Sequence, residues 1–203
     1  PNRSFVASWY DGLFVSDDDG ENWIKQNNGL KCDPQADSYD TRVPHFRHIR
    51  LSPDFNVDKT LFVAGFDGIF RSTDGGESWL QLEPLPVSLI RGFDVSPATG
   101  NGYSVAISTY GAGAYVSDDK GLNWNISNQG LSTTRLGDIT FSPDYQNDNT
   151  IFSGSKENIL RSENNGRNWE RINIVYKGWR RKAVRILRQK LSVPAETASD
   201  IFL

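Results

Sequence analysis

Four times in 203 residues the chain writes the same eight-residue frame: SDDDGENW at 16–23, STDGGESW at 72–79, SDDKGLNW at 117–124 and SENNGRNW at 162–169. The frames begin at Ser16, Ser72, Ser117 and Ser162, so their spacings are 56, 45 and 45 residues. Repetition at this period constrains the architecture more than any composition does, because each unit must bury its apolar face against its neighbours. The likeness extends beyond the frame. LSPDFNVDKTLFVAGFDGIFRSTDGGESW at 51–79 parallels FSPDYQNDNTIFSGSKENILRSENNGRNW at 141–169. Residues 95–124 form a looser third copy, and 4–23 are the second half of a fourth.

Each unit reads as four short strands. In the second unit these are HFRHIRL, TLFVAGF, GIFRS and the residues from Trp79 onward. Phe, Ile, Val and Leu recur in short runs bounded by Gly, Asp and Asn, which is a strand-and-turn signal. Four strands in about 45 residues is the period of a β-propeller blade. The expected fold is therefore all-β: four-stranded antiparallel blades over 1–30, 44–85, 88–131 and 134–174, as a small ring or part of a larger one.

The frame then acquires a physical role on the hairpin between the third and fourth strands. Its Ser and Asp or Asn side chains (Ser16 and Asp18, Ser72 and Asp74, Ser117 and Asp119, Ser162 and Asn164) are suited to bond the turn's own amides. Gly20, Gly76, Gly121 and Gly166 supply a backbone conformation that costs other residues a Cβ clash. Trp23, Trp79, Trp124 and Trp169 are expected to fold back between sheets. Asn164 still accepts a hydrogen bond, so the fourth turn is expected to survive.

These frames resemble the Asp-box, or BNR, repeat, Ser-x-Asp-x-Gly-x-x-Trp, over residues 4 to about 172. That repeat occurs in sialidases, xyloglucan-type glycosidases, sortilin-like receptors and a photosystem assembly factor. The resemblance implies a folding device on the blade periphery, away from the ligand face, so the frame carboxylates are poor candidates for catalysis or metal binding.

Two connections exceed the regular spacing, and both join a fourth strand to the next first strand, where extra loop length often carries function. KCDPQADSYDTRVP at 31–44 reads as a polar loop containing Cys32, the one cysteine, which excludes an internal disulfide. Over 178–191 the apolar residues Trp179, Val184, Ile186, Leu187 and Leu191 fall on one helical face. Arg180, Arg181, Lys182, Arg185, Arg188 and Lys190 surround them, and Pro194 follows. This predicts a short basic amphipathic helix within an insertion at 175–198. It suits a lid with a solvated face, an anionic membrane surface, an acidic partner or an adjoining domain. SDIFL at 199–203 matches GDITF at 137–141 and reads as the first strand of a further or closing blade.

The net charge of −3 gives no global basic field for nucleic acid. No apolar run reaches the roughly 18 residues of a membrane-spanning helix. The chain starts on Pro1 and contains no Met, which is expected of a piece of a longer protein.

Sialidases hold a carboxylate with three arginines and use a Tyr–Glu pair with an Asp acid. Their Phe/Tyr-Arg-Ile-Pro motif is absent, and no Tyr–Glu pair can be assigned. Arg47 and Arg91 nevertheless occupy the same place in two units, at the start of the first strand, with Arg135 close to it in a third. Three guanidinium groups around a channel mouth would suit an anion. The plainer reading is that each pairs with an acid such as Asp94 or Asp138, or covers apolar surface. His45 and His48, three apart on one strand, point to opposite faces and do not make a metal pair. No phosphate loop, nucleophile motif, cofactor site or metal site is legible. The sequence thus favours a non-catalytic binding or scaffolding module of a larger protein, for carbohydrate or an acidic partner. The alternatives are part of a sialidase-like glycoside hydrolase and a purely architectural module in a sugar-processing protein.

Overall fold

The structure is a computed structural model that describes residues 3–8, 11–30, 45–82, 89–100 and 102–172. The connection at 31–44 with Cys32, the segment at 175–198 with Arg180, Arg181, Arg185 and Arg188, and the strand expected at 199–203 lie outside the described residues.

The described chain forms one three-stranded and three four-stranded antiparallel sheets. The first comprises β1 (Ser4–Ser8), β2 (Gly12–Ser16) and β3 (Ile24–Lys25). The second comprises β4 (Phe46–Leu51), β5 (Leu61–Gly65), β6 (Gly68–Ser72) and β7 (Leu80–Gln81), with the one-turn helix α1 (Phe55–Asp58) between its first two strands. The third comprises β8 (Ile90–Val95), β9 (Val105–Thr109), β10 (Ala114–Ser117) and β11 (Asn125–Ile126). The fourth comprises β12 (Leu136–Phe141), α2 (Tyr145–Asp148), β13 (Ile151–Ser155), β14 (Ile159–Ser162) and β15 (Glu170–Ile172). Every sheet is a meander, with strands paired in chain order. Among the described residues the first lacks the strand that β4, β8 and β12 supply to the others. The fourth strands are shorter than the sequence suggests, two or three residues each. Such brevity limits the unpaired edge that they present.

Strand alternation explains the packing. Leu61 and Val63 of β5 face the first sheet, in a core with Leu13, Val15, Phe46, Phe70 and Trp79. Phe62 and Ala64, which alternate with them in sequence, face the third sheet with Phe93, Val105 and Ile107. Ala106 of β9 turns to the fourth sheet, with Leu136, Ile139, Phe141 and Trp169. Central strands are thus buried on both faces, and three apolar layers separate four sheets. The first strands β4, β8 and β12 are laced together. Arg50 Nε donates to Asp94 Oδ1 at 2.9 Å, while Asp94 Oδ2 accepts the Thr140 hydroxyl at 2.7 Å and the Phe141 amide at 3.1 Å. This is a propeller-type arrangement whose sheets do not close into a ring among the described residues.

The repeated frame builds the turn between third and fourth strands in every sheet. In each, the Ser hydroxyl donates to the Asp or Asn two residues on, at 2.6–2.9 Å. The same hydroxyl oxygen accepts the Gly amide at 2.8–2.9 Å. Asn164 keeps the geometry, its Oδ1 accepting the Asn168 amide at 2.9 Å. Trp79 and Trp169 are buried, and their ring nitrogens donate to Gln26 O and Ser127 O of the preceding sheet. Trp124 is half-buried. Trp23 departs from the expectation that all four rings bury between sheets: it is 41% exposed. Its sheet is the first of the four, so no described sheet precedes it to cover the ring.

The frame carboxylates titrate low. The Asn22 backbone amide, then its side-chain amide and the Ser16 hydroxyl, holds Asp18 at about 2. At Asp74 partial burial pushes upward, but bonds from Ser72, Ser78 and Glu77 outweigh it and leave the group at about 2. Asp119 is lowered likewise, its burial outweighed by Asn123 and Ser117. A folded value below the unfolded 3.8 stabilises the fold above about pH 4. That contribution is lost as pH falls through about 2. The triple variant Asp18→Asn/Asp74→Asn/Asp119→Asn, which copies the natural Asn164, is expected to show a weaker fall in urea midpoint between about pH 5 and about pH 2 than the parent chain.

Candidate functional site

The frame turns and the two short helices lie at one end of the strands. The opposite end carries the hairpins between second and third strands and the starts of β4, β8 and β12. There a backbone relay ties three sheets into one rim. The Phe66 amide donates to His45 O at 3.1 Å, Leu89 to Phe66 O at 3.5 Å, and Tyr110 to Leu89 O at 3.2 Å. Gly111 and Gly113 both donate to Thr134 O at 3.0 Å. Tyr110 and Arg135 form an isolated antiparallel bridge across the last junction.

The sequence-nominated arginines sit on this rim over aromatic rings. Arg47 Cζ lies 4.8 Å from the Phe66 ring centroid. Arg91 and Arg135 share one ring, their Cζ atoms 4.8 and 5.6 Å from the centroid of Tyr110, which is itself 48% exposed. Guanidinium groups favour such faces through the ring quadrupole. Asp94, a nominated acid partner, is taken by Arg50. The structure therefore brings Arg91 and Arg135 together around Tyr110 and places Arg47 one sheet away on Phe66.

His45 and His48 have separate partners. The His45 amide and its Nδ1 meet Asp67 Oδ2 at 2.6 and 3.0 Å, whereas His48 Nε2 meets Arg91 O at 2.9 Å. The second contact fixes the backbone of Arg91 from the neighbouring sheet. Among the described residues no three His, Cys, Asp or Glu side chains gather as a metal site, and no helix is long and apolar enough to cross a membrane.

Sequence reasoning nominated the arginines and missed their rings. Phe66 and Tyr110 were legible as hairpin residues in GFDG and TYGAG, but only strand pairing places those hairpins beside the first-strand starts. A second repeated device was also missed. Asn27 and Asn128, in NNGL and NQGL, accept the amides of Leu13 and Ala114 at 2.9 Å and donate to Asp11 O and Ala112 O at 2.9 Å. Each locks the loop after its fourth strand onto the hairpin before its third.

No family model matches the chain, and no curated protein sequence matches it. Solved structures do. One is an ancestral GH74 enzyme, at 21% identity and TM-score 0.62 over 85% of this chain and 22% of that one. Two are from B. thetaiotaomicron. The extracellular domain of a putative hybrid two-component system matches at 13% identity and TM-score 0.59, over 83% of this chain and 23% of that one. The extracellular domain of a putative one-component system matches at 14% and 0.55, over 87% and 21%. The chain spans about a fifth of the length of these structures. At such identities the likeness is one of fold, and that fold is the propeller-type succession of antiparallel sheets described above.

Proposed function

We infer that the chain is an Asp-box propeller segment that serves a larger protein as a non-catalytic binding module, with its rim taking an anionic group of a carbohydrate or of an acidic partner. The observation that carries this reading is the pair of guanidinium groups around the half-exposed Tyr110, continued one sheet away by Arg47 on Phe66. A ring edge offers apolar surface to a sugar face or a side chain. The flanking guanidiniums present forked donors matched to carboxylate, sulfate or phosphate. Arg47, Arg91 and Arg135 place positive charge on the rim of a chain of net charge −3, which favours anions there. Rigid strand starts linked by backbone bonds hold the groups in place, which reduces the ordering cost of binding.

The test is titration of the chain with uronic-acid and sulfated oligosaccharides, their neutral counterparts, and an acidic peptide. Arg91→Ala/Arg135→Ala is expected to weaken binding of the charged ligand by about tenfold or more, as loss of charged hydrogen bonds does. Asp74→Asn is expected to leave binding unchanged. Affinity is expected to fall with salt, because exposed charges are screened over about 8 Å at physiological ionic strength. Binding of neutral oligosaccharides alone at the rim, or charged binding indifferent to both arginines, overturns the reading.

A further inference from the structure

The three junctions between successive sheets are built from equivalent positions, and the third differs in chemistry from the first two. At the frame end of each junction, one sheet's turn faces the third and fourth strands of the sheet before it. Between the third and fourth sheets this leaves an open cleft of 340 Å³, whose walls include Asp118, Asn125, Ile126, Asn165 and Arg167. Its floor is sealed where the Ser127 hydroxyl bonds to Gly166 O. The volume lies at the lower end of small-molecule sites, about 300–1,000 Å³.

Aligning the frames shows what is particular here. The positions of Asp118, Asn125, Asn165 and Arg167 are held at the second junction by Thr73, Leu80, Lys120 and Leu122. At the first they are held by Asp17, Ile24, Gly75 and Glu77, and there Asp17 is engaged by Arg3 at 3.3 Å. The third junction alone of these combines a carboxylate, a guanidinium and two carboxamides.

These groups are also pre-positioned. The Tyr145 hydroxyl bonds to Asn165 Oδ1, and Asn165 Nδ2 donates to Asp118 Oδ1 at 2.6 Å. Asp118 Oδ1 also accepts the Ser104 hydroxyl at 3.1 Å. Tyr145 is buried, and burial pushes its phenol above the usual value, so it remains a donor. The equivalent residue in the second sheet is Phe55, which has no hydroxyl to offer. Asp118 Oδ2 takes none of these bonds, and Arg167 enters no ion pair among the described residues. Beside them the Ile126 side chain is 70% exposed.

We propose that this cleft binds a neutral saccharide. One carboxylate and one guanidinium nearly cancel, so the cleft selects no net charge, in contrast to the rim. A free carboxylate oxygen, a forked cation and carboxamides converge on a small space and match the mixed donors and acceptors of sugar hydroxyls. Ile126 supplies an apolar platform for the C–H face of a ring. An extended peptide is disfavoured as occupant, because the neighbouring edge strand β11 has two residues and offers almost no ladder to extend.

The experiment is an NMR titration of the full isotope-labelled chain with neutral methyl pentosides, methyl hexosides and their β-linked disaccharides. Saturable shifts are expected at the side-chain amides of Asn125 and Asn165 and the backbone amide of Gly166, with Tyr110 and Arg135 unmoved. That separation keeps this result independent of the anionic rim. Arg167→Ala and Asp118→Asn are each expected to weaken binding about tenfold. Arg167 is exposed, and the carboxamide that Asp118→Asn introduces would still accept from Ser104 and Asn165, so the unliganded spectra should show both variants folded. No saturable shift of these amides with any neutral glycoside, or shifts that survive both substitutions, overturns the proposal.

Discussion

Trp169→Ala is expected to lower the unfolding free energy by about 3–5 kcal/mol, the range for truncating a large buried aromatic. Trp23→Ala, the same change in the same frame, is expected to cost about 1 kcal/mol or less, as at sites outside a packed core. The contrast follows from position. Trp169 is 4% exposed and lies in the core between the third and fourth sheets. Its ring nitrogen donates to Ser127 O at 2.8 Å and its backbone amide to Gln129 O at 2.8 Å. Removing the ring leaves a cavity and orphans part of the preceding loop. Trp23 is 41% exposed, and its turn is otherwise closed by its own hydrogen bonds. Urea unfolding followed by circular dichroism measures both. Equal losses would show that the ring acts within its turn and not as a clasp between sheets.

Gly130→Ala is expected to cost about 2–5 kcal/mol, the sum of a backbone and a steric contribution. Gly130 has φ +83°, a left-handed conformation that costs a β-carbon-bearing residue about 1–2 kcal/mol. A Cβ there would also stand 2.1 Å from Trp169 O, a backbone atom of the next sheet with no freedom to swing aside. Forcing that strand away adds a cost on the order of 1–3 kcal/mol. Gly100→Ala serves as the comparison, since a Cβ there meets nothing within 4 Å. Matching urea midpoints for the two variants would show that the Gly130 loop does not press against the Trp169 strand. Gly29 stands in the same relation to Trp79 O, so the loop and the tryptophan form one joint used twice.

The period of the frame, its turn chemistry and the two-residue alternation of the strands were legible in the chain because they are local. A Ser hydroxyl meets the residue two positions on whatever surrounds it, and alternation alone divides Leu61 and Val63 from Phe62 and Ala64. Residues 4–23 match only the later part of a repeat, and among the described residues their sheet has three strands, the 199–203 segment that the sequence offers as a further or closing strand lying outside them. The spacing also located Arg47, Arg91 and Arg135 near strand starts, but an acid partner at Asp94 or an aromatic neighbour was equally open to each.

What the sequence by itself determined is therefore the unit: four-strand repeats, each closed by a Ser–Asp or Ser–Asn turn and ended by tryptophan. Tertiary structure decided what passes between units. It left Trp23 exposed while burying Trp79 and Trp169, because among the described residues no sheet precedes the one that carries Trp23. It engaged Asp94 with Arg50, set Arg91 and Arg135 on Tyr110, and opened a polar cleft at the third junction. The physical reason is that these contacts join residues from different sheets, such as Arg50 with Asp94, 44 positions apart. Their partners are fixed by how sheets stack, and no local preference of either residue contains that information.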